Sequence, residues 1–453
     1  MIEAANFEKP FEKIQAQAKK DGAEVEMLIE RGESFSTSFQ KGNPEKFDSS
    51  ASHCAGLRVI LNGFEGYSYS ENLSDEALME AYQEALKNAK FTGQAGDSTK
   101  ISSLLENSVQ VNENAALVNN SLDSLDVPGK LERGKMLEAV ALKADSRITS
   151  CPYNGYSETQ SEVQIMNSRG VRRKQRKTSV VGYVYCLAKQ GDESKMAGEG
   201  FFTRQSSKFD PAHVAEIAAK KTVAKLGAEQ PETGMYPVVI DAETAADFIG
   251  LFADSFSAKS VEEKTSIFGK DLGQEIANEK LTMIDDPFFD GMGTRAFDSE
   301  GAPVQKTPLL EKGKLKNFLT NSVLAKRMKL PHTASAARSA RSQLDVGISN
   351  LVVQKGSETL EQLLSKYPKV IYITDFTGYH AGYQAGSGDF SLQSEGELWE
   401  NGKRVKPLSN FVTSGNVKQV LKSIEALSNR EMPPMNSVVS PDILVSSLSI
   451  AGK

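Results

Sequence analysis

Val370-Ile-Tyr-Ile-Thr-Asp-Phe-Thr-Gly-Tyr-His380-Ala-Gly-Tyr-Gln-Ala-Gly-Ser-Gly-Asp389-Phe390 is the stretch that sets the character of this chain. Val370–Ile373 reads as a strand, and Phe390–Leu398, beyond the glycine-rich loop, reads as another. Leu398-Trp-Glu-Asn-Gly-Lys-Arg-Val405 then turns back as a hairpin on an Asn-Gly tip, and Thr307-Pro-Leu-Leu-Glu-Lys-Gly-Lys-Leu315 does the same on Lys-Gly. A strand on each side excludes a phosphate-binding loop, since no Gly-Lys-Ser/Thr follows and no helix N-terminus is available. Gly378, Gly382, Gly386 and Gly388 suit a backbone that approaches another backbone closely, such as an extended peptide. A structural turn fits them equally well.

Outward from this point, the second half contains the strand Tyr236–Ile240, an apolar helix near Glu243–Ala258, a helix at Val417–Leu427 and a last strand at Leu444–Ile450. The first half opens with a helix from Phe7 to Lys20, in which Phe7, Phe11, Ile14 and Ala18 recur at helical spacing. Strands follow at Glu24–Ile29 and Ser34–Gln40, then a hairpin from Leu57 to Ser70 around Asn62-Gly63. Ser74 starts a further helix. A helix at Leu131–Asp145 leads to strands at Ser161–Asn167 and Ser179–Ala188, and Asp210-Pro211 caps a helix ending at Gly227. The fold class is α+β, with a strand-rich C-terminal domain. The domains are placed at 1–230 and 231–453, with a polar linker at about 92–120.

The chain has 453 residues, 39% hydrophobic and 25% charged, with a formal net charge of −6. That balance suits a soluble globular protein and offers no global positive field for nucleic acid or an anionic membrane. No stretch approaches the length of a membrane span, and the first twenty residues lack the apolar core of a signal peptide. Cys54, Cys151 and Cys186 make neither a disulfide framework nor a metal knuckle. These features point to the cytoplasm.

Candidate chemistry is sparse. His53, His213, His332 and His380 are far apart, and none is followed by Glu, so no helical zinc motif with two His one turn apart exists. His53-Cys54 is a poor thiol–imidazole pair, because neighbours on a strand point to opposite faces. Arg169, Arg172, Arg173, Lys174, Arg176 and Lys177 form one basic run without interleaved aromatics, which reads as a solvated face or partner contact rather than a nucleic-acid surface.

Several segments together resemble the TldD/PmbA family, some of whose members are named as modulators of DNA gyrase. They are Thr377-Gly-Tyr-His380-Ala-Gly, Ser387-Gly-Asp-Phe-Ser391, Glu395-Gly-Glu-Leu-Trp-Glu-Asn-Gly402, Phe297-Asp-Ser-Glu-Gly-Ala-Pro-Val-Gln-Lys-Thr-Pro308, Ser414-Gly-Asn416, Gly56-Leu-Arg-Val59, Gly63-Phe-Glu-Gly-Tyr67 and Leu73-Ser-Asp-Glu-Ala-Leu78. The resemblance implies a mixed α/β N-terminal domain, a C-terminal domain of β-barrel or sandwich character, and assembly as dimers. TldD-type members carry a His-Glu-x-x-x-His helix after the first strand of the C-terminal domain, with a cysteine near the C-terminus completing a zinc site that cleaves peptides. Here those positions fall on Gly250, Leu251 and Ser255, and Glu431-Met-Pro-Pro-Met435 carries no cysteine. The match is therefore to PmbA-type members, also called TldE, which lack the ligands and pair with a TldD-type subunit.

The resulting expectation is a non-catalytic subunit with no metal or cofactor of its own. Zinc is expected in a TldD-type partner, and peptide or unfolded protein would be received at Gly378, His380, Gly382, Ser387, Gly388 and Asp389 as an added strand. Two alternatives stay open: a peptidase that uses Cys151 or Ser387 with His380 as base, and a homodimeric regulatory protein whose contact surface is the basic run.

Overall fold

The computed structural model describes residues 6–95, 102–106, 111, 117–118, 122, 125–431 and 435–453. The N-terminal half is built on one antiparallel sheet of six long strands: β1 (Glu24–Gln40), β2 (Asn43–Leu61), β3 (Phe64–Ser70), β4 (Ile148–Asn167), β5 (Arg172–Gln190) and β6 (Glu193–Thr203). Their spatial order is β3-β2-β1-β4-β5-β6. The Asn-Gly tip expected between β2 and β3 is present, with positive φ at Asn62 (52°) and Gly63 (85°). The two strands expected across residues 24–40 are one. The sheet also claims residues 43–56, 148–160 and 193–203, which lack the alternation that marks a half-buried strand.

Four helices cover one face of the sheet: α1 (Glu8–Lys20), α2 (Asp75–Ala95), α3 (Val127–Ala144) and α4 (Pro211–Ala224). Phe11, Ile14 and Ala18 of α1 and Leu78, Tyr82 and Leu86 of α2 close over Val25, Met27, Leu57 and Val59. Leu137 and Ala141 of α3 and Val214 and Ala218 of α4 do the same over Val180, Val184 and Cys186. Asp126 and Asp210 cap α3 and α4, each followed by a Pro at the start of its helix. The expected linker at 92–120 begins inside α2, and most of its remainder lies outside the described residues.

The C-terminal half contains a closed five-strand barrel of β7 (Gly234–Ile240), β8 (Lys369–Thr377), β9 (Asp389–Glu400), β10 (Lys403–Asn416) and β11 (Ile443–Ala451). β7 pairs in parallel with β8 and antiparallel with β11. The β8–β9, β9–β10 and β10–β11 pairings, all antiparallel, complete the ring. Alternate residues such as Val238, Ile240, Ile371, Ile373, Leu392, Phe411 and Val445 join the main core. The intervening residues Val239, Val370, Tyr372 and Leu444 pack outside it with Leu363 and Leu364. Residues 424–427, expected as the end of a helix, form a strand that pairs with β11, while the helix stops at Lys422. No helix among the described residues is long and apolar enough to cross a membrane.

The second face of the N-terminal sheet lies against the C-terminal half. Leu28, Ile165 and Val171 pack on Phe297, and Gly56 comes so close to the 340 loop that a Cβ there would sit 2.1 Å from the Ala340 carbonyl oxygen. Arg58, fully buried, donates to Glu65 at 2.6 Å, to Glu300 at 3.3 Å and to Glu26 at 3.5 Å; Arg338 reaches Glu26 at 2.7 Å. Burial opposes the charge on Arg58, but Glu65, Tyr67, Glu26 and Glu300 outweigh it and hold the guanidinium protonated. Arg58→Met removes the cation shared by Glu65, Glu300 and Glu26, leaving only Glu26 with another, Arg338. The expected loss is about 3–5 kcal/mol in urea unfolding.

Candidate functional site

The helix α5 (Ala242–Gly250), which follows β7, and the turn after it carry the positions where the resemblance places metal ligands. Its start is held firmly. Asp241 caps it by accepting from the Glu243 N–H at 3.0 Å, and the buried Asp442 accepts from the Ala242 N–H at 3.1 Å. Arg430 bridges these carboxylates and lies 2.9 Å from Asp241. The helix was expected to run on to Ala258, yet it ends at Gly250 and gives way to a tight turn at Ala253–Phe256. Gly250 is a poor helix residue, and Ser257 starts a new short helix by accepting from the Lys259 N–H at 3.1 Å.

The buried face of this segment is aromatic. The Phe248 ring meets Phe390 at 5.0 Å and Phe376 at 6.1 Å, and Phe256 stacks on Phe268 at 5.1 Å with Phe252 beside both. Gly250 is exposed, Leu251 half-buried and Ser255 buried. None of these side chains offers an imidazole, thiolate or carboxylate, so a catalytic zinc ion does not fit the residues present. At the C-terminal end of the family motif, residues 432–434 lie outside the described residues.

Ion pairs border the exposed side of α5. Lys221 of α4 joins Glu199 and Glu243, each at 2.8 Å, and Lys225 joins Asp375 at 2.9 Å and Glu395 at 2.7 Å. Asp247 accepts from the Asn436 amide at 2.9 Å. Its crowded position, with Glu243 and Asp375 nearby, raises its carboxyl to about 6.

The glycine-rich loop lies at one edge of the barrel. Gly378 (φ 78°) leads into a short helix at Tyr379–Gly382, and Tyr383–Gln384 then pairs with Asp389–Phe390 at the start of β9. A Cβ on Gly382 would fall 2.3 Å from the Ser391 carbonyl oxygen, so its close approach is to the chain's own β9. Gly388 (φ 77°) is needed for the return turn. Asn416 donates to Asp389 at 2.8 Å and to the Ser387 carbonyl at 3.0 Å; the Asn416 bond and then Ser387 hold the Asp389 carboxyl below its usual range. Gly378, Gly382 and Asp389 line a shallow cavity of about 510 Å³ with Gln384, Gln393 and Val412. His380 is exposed on the short helix, and no hydrogen bond joins it to Ser387, whose hydroxyl accepts from the Asp389 N–H at 3.3 Å. Cys151 belongs to the N-terminal core, 4.0 Å from Cys186; that contact and burial push its thiol up, away from a nucleophilic thiolate.

Three family models match along the chain: PmbA/TldA metallopeptidase domain 1 at residues 25–89, the central domain at 120–226 and the C-terminal domain at 233–452. The chain belongs to the PmbA/TldD family. It is 24% identical to Metalloprotease PmbA of Escherichia coli O157:H7, over 97% of this chain and 94% of that one. A metalloprotease of Methanocaldococcus jannaschii is 25% identical over 90% of each chain. The fold is shared with TldE from Thermococcus kodakarensis, with a TM-score of 0.89 and 21% identity over 98% of this chain and 100% of that one. A Thermotoga maritima protein named as a candidate modulator of a DNA gyrase gives 0.90 and 23% over the same shares.

This PmbA/TldD family member also brings together groups that its sequence order separates. Ligand atoms of Asp298, Glu300 and His332 all lie within 4.8 Å of one another. The carboxylate lone pairs are largely committed, while the buried His332 Nε2 has no hydrogen-bond partner among the described residues. Asp298 accepts from the Glu300, Ala302 and Ala336 N–H groups at 2.9–3.0 Å, and Glu300 accepts from the Ser322 N–H at 2.9 Å and hydroxyl at 2.7 Å and from Arg58. Burial and then Glu300 raise Asp298 to about 7, and burial lowers His332. With Arg58 beside Glu300, the cluster anchors the 298–302 loop. Asp298 and Glu300 stood inside a recognised segment, but nothing in sequence tied them to His332. The neighbours of Asp247 were equally hidden, at Glu243 of α5, Asp375 of β8 and Asn436.

Because Asp247 binds its proton more tightly when folded, its charge disfavours the fold as pH rises from about 4 to 6. Asp247→Asn should therefore raise Tm relative to the parent at pH 7.5. That gain should disappear below about pH 4, where both chains are neutral at this position.

Proposed function

We propose that this chain is a PmbA/TldE-type subunit of a peptidase whose zinc chemistry resides in a TldD-type partner. The observation that carries the reading is α5. In a domain that otherwise keeps the family's fold, the motif positions hold Gly250, Leu251 and Ser255, and the adjacent Phe248, Phe252 and Phe256 turn the segment into core packing. The chain's contribution is then a wall of the peptide cavity, acting in the cytoplasm.

In this reading the rim at Gly378, His380, Gly382, Ser387, Gly388 and Asp389 receives the backbone of an extended peptide or unfolded segment. Main-chain hydrogen bonds would supply affinity with little sequence selectivity. The shallow cavity beside Asp389 and Gln393 supports it. Assembly is as a heterodimer with the TldD-type subunit, and self-association as a homodimer is the alternative.

Elemental analysis of the purified chain should find no stoichiometric zinc. Hydrolysis of an unfolded protein should appear only when a TldD-type subunit is added. Robust metal-dependent cleavage by this chain alone would sink the proposal. In the mixed complex, His380→Ala should raise KM and leave kcat unchanged, since His380 borders the peptide but moves no proton; loss of kcat would make it a catalytic base.

A further inference from the structure

The basic run, expected as a solvated face or partner contact, is largely committed within the chain. Arg169 pairs with Glu24 and Glu106, Arg172 with Glu8, and Lys174 and Arg176 with Glu162. Arg173 donates to the Gly301 carbonyl at 3.0 Å. Further along the same strand, β5 carries a surface of another kind. Val180, Val184 and Cys186 point under α3 and α4, so Tyr183 and Tyr185 stand on the opposite face. Tyr153 of β4 is the cross-strand neighbour of Tyr185, and Gly155 that of Tyr183. On the other side, Gly198 and Gly200 of β6 pair with Tyr185 and Tyr183. The Tyr185 ring meets Tyr153 at 6.5 Å and Tyr183 at 6.4 Å, both edge-on. A Cβ on Gly155 would fall 2.8 Å from the Tyr183 ring, and one on Gly198 2.6 Å from the Tyr185 ring. Tyr153 and Tyr183 also line, with Gly155, Ser36 and Ser38, a cavity of about 370 Å³.

An aromatic ring laid across a glycine supports the strand it covers. That accounts for Tyr183 and Tyr185, but not for Tyr153, which lies over none of these glycines. Tyr153, Tyr183 and Tyr185 remain 60%, 39% and 44% exposed. Contiguous aromatic surface left in water marks a contact surface, and tyrosine suits one because a rigid apolar ring ends in a polar tip.

The charge at the border of this face sets what it takes. Met435 lies on Gly200, its methyl carbon 2.6 Å from where a Cβ would stand, and the next residue, Asn436, donates to Asp247 of α5 at 2.9 Å. Glu199, between the two β6 glycines, and Glu243 of α5 share Lys221, while Asp375 and Glu395 share Lys225. Lys195 approaches Glu395 at 3.9 Å. Five carboxylates thus meet three ammonium groups, and among the described residues Asp247 pairs with no cation. The surplus is negative and complements a cation. Thr377-Gly378 follows Asp375 on β8, so the glycine-rich rim and the tyrosine face border the same carboxylates.

We propose that the face of Tyr153, Tyr183 and Tyr185 binds an unfolded peptide segment that carries apolar side chains together with Lys or Arg. The rings take the apolar side chains, and the border at Asp247 takes the cation. The peptide as occupant rests on the function proposed above; its apolar and cationic character follows from the surface itself.

Binding to the full chain alone, followed by fluorescence anisotropy at pH 7.5, tests the site. The probe is a labelled ten-residue peptide of Gly and Ser that carries two Leu and two Lys. Versions with Glu for Lys, or Ser for Leu, should bind about tenfold more weakly or worse. Tyr153→Ser combined with Tyr185→Ser should weaken the Leu/Lys peptide roughly ten- to a hundredfold, the scale of losing anchor aromatics. In the unaltered chain the same peptide should shield Tyr153 and Tyr185 from nitration by tetranitromethane, read by mass spectrometry, while exposed Tyr69 keeps its reactivity. This footprint stands whether or not the double variant folds. No saturable binding, equal affinity for the Lys and Glu peptides, or unshielded tyrosines at saturating peptide would overturn the proposal. Tyrosines shielded by a TldD-type subunit but not by peptide would also overturn it, make the face a subunit contact and leave the subunit reading intact. Shielding by peptide in a chain that no TldD-type subunit joins would uphold the site and overturn the subunit reading.

Discussion

Arg58 is the pin on which the two halves turn. It sits on β2 with Glu65 of β3 and Glu26 of β1 around it, and it reaches Glu300 in a loop some 240 positions away. A guanidinium without water must be matched by carboxylates in fixed places, so the sheet and the 298–302 loop hold one relative position. Arg338 on Glu26 and the Ala340 N–H on Glu30, at 2.9 Å, extend the same logic along β1. The ion pairs of Lys221 and Lys225 beside α5 also join these halves, and they inherit their geometry from this contact.

At the positions where the resemblance places zinc ligands, this chain holds residues built for packing. A helix that holds zinc must keep polar ligands on an accessible face and tolerate their desolvation. α5 and the turn after it instead bury a continuous row of phenylalanines, while the polar requirement moves to the helix start, where Asp241, Asp442 and Arg430 satisfy the backbone.

Local chemistry was legible in the sequence. Asn62-Gly63, Asn401-Gly402 and Asp210-Pro211 each dictate a backbone geometry within a few residues, and the structure has each of them. The barrel closure was not legible from residues alone, because the β7–β8 and β7–β11 pairings join strands far apart in sequence. Residues 43–53 gave no strand signal for a physical reason: they are exposed on both faces, so hydrophobic alternation has no core to report. That Gly250, Leu251 and Ser255 offer no metal-ligating side chain was readable because it is a property of residue identity. The groups around Asp247 and Asp298 were not, since each is assembled by tertiary contacts between separate elements.

Those same residues 43–53 place a demand on the sequence of β2. They pair with β1 along one edge, and among the described residues no strand pairs with the other. Eleven residues of uncovered ladder form a template on which identical chains can stack. Pro44 removes one donor from it. Glu45, Lys46 and Asp48 supply charge, and the run Ser49-Ser-Ala-Ser52 has no β-branched side chain to form a dry seam. The plainness that hid this strand from pattern reading is what keeps its open edge soluble.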